Sequence, residues 1–168
     1  MGQVGRSCGA GGASNAARLI QAMYRKSGLM GKGDRPKGLD YDLSEVPDLA
    51  VISGRNATGK TLLLDRLASN VKGRAKPIRI NHSSLHDLNS KKYAYMTYRG
   101  RAHAYISDKL TGLKGKGRIV LIDDVSPILT DKEFHSIASR LKELHSKGII
   151  ARAAITLSDG GGFKVRAL

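Results

Sequence analysis

Residues 49–64, LAVISGRNATGKTLLL, constrain the fold more than any other stretch of the chain. The run LAVIS has the β-branched, unalternating character of a short strand buried on both faces. A loop punctuated by Gly54 and Gly59 interrupts it, and leucines at 62, 63, 64 and 67 then mark "KTLLLDRLASNV" as a helix. A buried strand that turns through glycines into a helix is the start of a strand–helix–strand unit, and such units build parallel sheets.

The remainder repeats that alternation. "PIRIN" (77–81) predicts a short strand, and the segment from Ser83 to Thr111 predicts one or two helices, with Tyr93, Tyr95, Tyr98 and Tyr105 interleaved with Lys91, Lys92, Arg99 and Arg101. "LKGKGRIVLIDD" reads as a glycine turn followed by an apolar strand that ends in two carboxylates. "DKEFHSIASRLKELHSKG" carries an acidic first turn, apolar residues at 134, 137, 141 and 144, a basic end and a glycine stop, which together bound a helix. "IIARAAITL" predicts another buried strand, and "GGG" leads into a last one, "FKVRAL". The expected fold is α/β, with three α/β/α layers around a mostly parallel sheet of about five strands. With 168 residues, 40% apolar, 5% aromatic and no Trp, the chain suits one domain with a core of Leu, Ile, Val and Ala. Residues 46–168 are assigned to that domain and residues 1–45 to a flexible, glycine-rich basic segment. Within the segment, Leu19, Ile20, Met23 and Tyr24 predict a short basic amphipathic helix, either a nucleic-acid or partner contact or a helix packed on the domain. "GLMGKGDRPKGLD" reads as a linker.

The charge narrows the classes of partner. Twenty-nine Lys and Arg against 14 Asp and Glu give +15 and a pI near 10.2. Between Arg66 and Arg118 thirteen basic residues face two acidic ones, Asp87 and Asp108. Such a field attracts polyanions, nucleic acid first among them, although a solvated basic surface has the same composition. Cys8 is alone, which excludes an internal disulfide and a cysteine metal cluster and favours a reducing, cytoplasmic setting. No apolar run has the length of a membrane span, and the first thirty residues lack a secretory h-region. The opening "MGQVGRS" misses the N-myristoylation pattern at Arg6. Oligomers and protein partners stay open.

Gly54, Gly59, Lys60 and Thr61 satisfy G-x-x-x-x-G-K-[ST] in the required strand–loop–helix context. Glycines let the backbone approach phosphates, and successive N–H groups with a helix N-terminus supply positive potential. The loop residues Gly54, Arg55, Asn56, Ala57, Thr58, Gly59, Lys60, Thr61 and Leu62 are therefore the expected nucleotide contacts. Lys60 would reach the β- and γ-phosphates, and Thr61 would ligate Mg²⁺. Such a site needs a carboxylate at a neighbouring strand end, and "RIVLIDD" offers Asp123 for the metal and Asp124 for an attacking water. The alternative is that the pair simply caps the loop before "SPILTD".

"GRNATGKT" with "IVLIDD" resembles the Walker A and Walker B motifs of the P-loop NTPases, and residues 48–168 follow that family's order of elements. The doubled acid and the later strand "IIARAAITL" are similar to the division in which an extra strand separates the two Walker strands, among them ABC/SMC-type, AAA+, RecA-like and viral packaging ATPases. Asn56 matches the G-x-N-x-x-G-K-[ST] loop of the ABC/SMC type. Against it, Ala57 replaces a usual glycine, Asp124 a usual glutamate and Ser158 a switch histidine; an LSGGQ-like signature is missing, and no glutamine follows Gln21. The resemblance implies Mg²⁺-dependent ATP hydrolysis with Lys60 and Asp124 as catalytic residues, Thr156 or Ser158 as sensors of the γ-phosphate, and an arginine from a neighbouring subunit. Arg99, Arg101 and Arg118 are the candidates, although a place on the basic surface is the stronger reading of each. Of the histidines, His82 and His86 would share a helix face, yet zinc wants three or four ligands. The implied activity is a nucleic-acid-linked ATPase of translocation, packaging, loading or partition type. The alternatives are a small nucleotide or metabolite kinase, or a nucleotide-gated nucleic-acid-binding module with little hydrolysis.

Overall fold

The computed structural model describes residues 36–70, 77–81, 98–124 and 129–168. Among these, α1 (Lys37–Asp40) and a 3-10 turn (Leu43–Glu45) precede β1 (Leu49–Ser53), α2 (Lys60–Ser69) and β2 (Ile78–Ile80). Then follow α3 (Tyr98–Thr111), β3 (Arg118–Ile122), α4 (Asp131–Ser146), β4 (Ile150–Leu157) and β5 (Lys164–Ala167). The five strands form one sheet in the order β2-β3-β4-β1-β5. Four are parallel, and β5 pairs antiparallel with β1. This is the mostly parallel α/β sheet that the alternation of strands and helices predicts. β4 stands between β1, which feeds the glycine loop, and β3, which ends at the two carboxylates.

The apolar runs are continuous because both faces of the sheet are covered. On one face Ala102, Ile106 and Leu110 of α3 and Ile137, Leu141 and Leu144 of α4 meet Val120, Ile122, Ala153 and Ile155. On the other, Leu63, Leu64 and Leu67 of α2 meet Ala50, Ile52, Leu121 and Ala154. The alternation of Val120 and Ile122 with Leu121 is the strand period dividing one run between two cores. Full burial of a leucine such as Leu63 or Leu64 contributes about 1.5–3 kcal/mol, so α2 is firmly seated beneath the loop that precedes it. α4 begins at a capping box: Thr130 Oγ1 accepts from Glu133 N (3.3 Å), and the Glu133 carboxylate accepts from Thr130 N (2.8 Å). β5 lies at the edge of the sheet, with Lys164 and Arg166 exposed, charges that discourage further strand pairing.

The packed unit starts before residue 46. Pro36 and Gly38 are buried, and Gly38 N donates to Thr58 O (3.3 Å). A Cβ on Gly38 would stand 1.9 Å from Gly59 O, so only a glycine lets the chain lie this close to the loop. Arg66 Nη1, from α2, donates to Gly38 O (3.0 Å) and Tyr41 O (2.7 Å) and staples the segment down. Pro and Gly, which predict a linker in "GLMGKGDRPKGLD", here serve close packing at its carboxyl end. The amphipathic helix expected near residues 15–27, and the segment with His82, His86, Lys91, Lys92, Tyr93 and Tyr95, lie outside the described residues.

Candidate functional site

The loop after β1 is built from backbone conformations that side chains disfavour. Gly54 (φ 148°) and Gly59 (φ 93°) adopt them freely, whereas Ala57 sits in the left-handed region at φ 66°. For an alanine that conformation costs roughly 1 kcal/mol, and the surroundings must hold it there. They do so through the turn after β4. Because β5 returns beside β1, residues 158–163 cross over the end of β1, and Arg55 N donates to Gly161 O (2.8 Å) while Gly54 N donates to Leu157 O (3.2 Å). Thr58 Oγ1 closes the loop internally on Arg55 O (2.9 Å).

Lys60 opens α2 and is 8% exposed. Its Nζ folds back to donate to Gly54 O (2.7 Å) and Arg55 O (3.0 Å). Burial pulls the ammonium below its ordinary value, opposed by the negative charges of Asp124, Asp123 and Asp159. A buried cation held by two backbone carbonyls is a charge that a bound anion could claim.

The two aspartates at the end of β3 part company. Asp123 is 6% exposed, and its Oδ1 accepts from Thr156 Oγ1 (2.7 Å) and Thr61 Oγ1 (3.3 Å). Its Oδ2 faces Arg79 Nη2 at 3.3 Å. Asp124 is exposed, with φ 54°. Its N–H donates to the same Thr156 Oγ1 (2.7 Å), so the fully buried Thr156 hydroxyl donates to one aspartate and accepts from the next. Ser158 Oγ lies 3.1 Å from Asp124 Oδ1 and 3.3 Å from Asn56 Oδ1, linking the glycine loop to the second carboxylate. Asp159 is held below the usual carboxylate range by the Gly161 N–H (3.0 Å) and by the Ser53 side chain.

Lys60, Thr61, Asp123, Asp124, Thr156, Ser158 and Asn56 are thus brought together from three segments of the chain. Arg55 and Asn56 are exposed on the loop, whereas Leu62 turns into the interior at 6% exposure and offers only its backbone. The arginines expected from a neighbouring subunit divide. Arg118 starts β3, at the opposite edge of the sheet from Asp123, with its Nε on Lys114 O (3.0 Å). Arg101 lies half-buried in the first turns of α3, and the Arg99 side chain lies outside the described residues. Arg79 pairs with both Asp65 and Asp123 and so reaches the site from β2, and the motifs do not point to it. Its signal was its place between two isoleucines in "PIRIN", which sets it on the opposite sheet face from them.

Thr61 and Asp123 offer a hydroxyl and a carboxylate 3.3 Å apart, hard oxygen donors of the kind magnesium prefers, and a guanidinium already stands against the carboxylate as a cation. Among the described residues no group of three or more His, Cys, Asp or Glu could hold a metal ion. No described helix is long and apolar enough to cross a membrane. Comparison with protein-family models, curated proteins and solved structures gives no match for this chain.

Proposed function

We propose that the chain is a magnesium-dependent P-loop ATPase that acts on or with nucleic acid. The ATPase reading is carried by one observation: Thr61, next to the buried Lys60 on the loop, touches Asp123 across the sheet at 3.3 Å, with Asp124 and Ser158 beside them. The loop N–H groups and the α2 N-terminus would receive the β- and γ-phosphates, with Lys60 turning from the carbonyls of Gly54 and Arg55 to meet them. Asp124, exposed and hydrogen-bonded to Ser158, would orient the attacking water, while Thr156 anchors the Asp123 carboxylate and the Asp124 N–H. Thr61 and Asp123 would hold Mg²⁺, which would supply charge neutralisation for the transferred phosphoryl group.

The nucleic-acid part rests on the charge of +15 and on the basic residues from 66 to 118, of which Lys109, Lys114 and Lys116 are exposed. Tyr105 already carries Lys109 Nζ 5.2 Å above its ring, so that face is engaged in a cation–π contact.

The test is phosphate release from ATP with and without single-stranded DNA, double-stranded DNA and RNA. Turnover stimulated by one of these polymers, together with binding that weakens steeply between about 50 and 200 mM salt, is the expected result. Phosphate appearing on a small acceptor would instead establish the kinase reading. ATP binding without turnover, unchanged by Asp124→Asn, would leave the nucleotide-gated module.

A further inference from the structure

The two oxygens of Asp123 serve different partners. Oδ1 accepts from Thr156 and Thr61, both neutral hydroxyls, while Oδ2 faces the Arg79 guanidinium. The other arm of Arg79 is paired with Asp65, which lies four residues after Thr61 and therefore on the same face of α2. Arg79 reaches both because it stands opposite Leu121 in the β2–β3 register, and Leu121 belongs to the core beneath α2. The guanidinium bridges three elements: β2 that carries it, α2 through Asp65 and β3 through Asp123.

Burial explains why a cation is needed there. The Asp123 side chain is 9% exposed, and an ionised carboxylate so placed is costly without a compensating charge. Arg79 is more accessible, at 33% for its side chain. An arginine guanidinium stays a cation at any pH the protein meets. A divalent ion arriving at Asp123 meets a positive charge already in place, and two cations on one carboxylate repel.

Resting on the reading of Asp123 as the metal-side carboxylate, we propose that Arg79 is the resident counter-ion of Asp123 and competes with the metal for it. Arg79 keeps Asp123 oriented and charge-balanced in the absence of nucleotide, and it weakens the affinity of the empty site for free divalent ions. It is a positioning residue, held ready by Asp65, and it gives up Oδ2 when metal enters.

The test is a titration of the full nucleotide-free chain with Mn²⁺, read by the loss of the free-ion electron paramagnetic resonance signal, with folding checked by circular dichroism. Arg79→Gln should bind Mn²⁺ about tenfold more tightly than the parent, the scale of one half-exposed charge removed from beside a divalent ion. Arg79→Lys retains a charge but cannot span Asp65 and Asp123 together, so it should shift in the same direction by a smaller factor, about two- to threefold. It keeps the test alive should Arg79→Gln not fold. Folded variants with unchanged or weaker Mn²⁺ affinity would overturn the competition. Asp123→Asn separates the two layers of the argument. If it loses Mn²⁺ while the Arg79 variants match the parent, Arg79 alone has been misread; if it binds Mn²⁺ like the parent, the metal-side reading of Asp123 falls and the proposal with it.

Discussion

Two glycine–lysine loops among the described residues, GRNATGKT at 54–61 and GLKGKGR at 112–118, behave in opposite ways. In the first, the lysine is buried and bonded to two carbonyls, and Gly59 is packed so tightly that an added Cβ would meet Gly38 N at 2.8 Å. In the second, Lys114 and Lys116 are exposed, and Gly117 has φ 70° with nothing within 4 Å of an added Cβ. Gly117 N reaches Gly148 O (3.1 Å), which ties the turn before β3 to the turn before β4. One loop lies at the carboxyl edge of the sheet, overlaid by the 158–163 crossing and by residues 36–41; the other lies at the amino edge and faces water. Composition does not separate a site from a turn. Closure by distant segments does.

The largest effect expected from this contrast is on turnover. Lys60→Ala should abolish ATP binding or lower the rate by about 10²–10³ or more, as loss of a charge aimed at the transferred phosphoryl does. Lys116→Ala should leave the unstimulated rate within about twofold. Equal losses in a phosphate-release assay would break the comparison, and an unchanged Lys60→Ala would remove the phosphate-loop assignment itself.

Stability should sort the glycines in the same order. Gly38→Ala should destabilise by about 2–4 kcal/mol, because the new methyl collides with the Gly59 backbone. Gly117→Ala has open space and only its positive φ to oppose it, so about 1 kcal/mol is expected. Urea titration of the two variants checks the ranking. Thr156→Val should cost about 1–3 kcal/mol, since it leaves Asp123 without its closest donor and Asp124 N without its acceptor.

A smaller effect is set by pH. The Lys60 ammonium is pulled below 10.5 in the folded protein, so between that lowered value and 10.5 the unfolded chain holds more protons. Stability contributed through Lys60 must therefore rise with pH across that window, and Lys60→Met should flatten the rise. Urea midpoints taken as pH approaches 10.5 measure it; identical slopes for parent and variant would contradict the burial of the charge.

Most of the fold was legible because its signals are local. LAVIS, RIVLI and IARAAITL read as strands from their apolar runs, and α4 from its period and its ends, although its Thr130–Glu133 capping box was not read from the sequence. The loop and the paired aspartates were legible because their chemistry is encoded in adjacent residues. The Arg79–Asp65–Asp123 bridge was not, since three separate elements meet there and each residue is unremarkable in its own segment. Nor was the contact of Gly38 with Gly59, for glycine in a Pro-rich stretch signals a turn as readily as a close approach.

The position of β4 has a geometric consequence for the mouth of the site. With one strand interposed, the ends of β1 and β3 are two inter-strand spacings apart, about 10 Å at the backbone, where direct neighbours would leave about 5 Å. The tip of β4 fills that gap: Thr156 bonds the Asp123 carboxylate and the Asp124 N–H, and Ser158, just beyond the strand, bridges Asn56 on one side and Asp124 on the other.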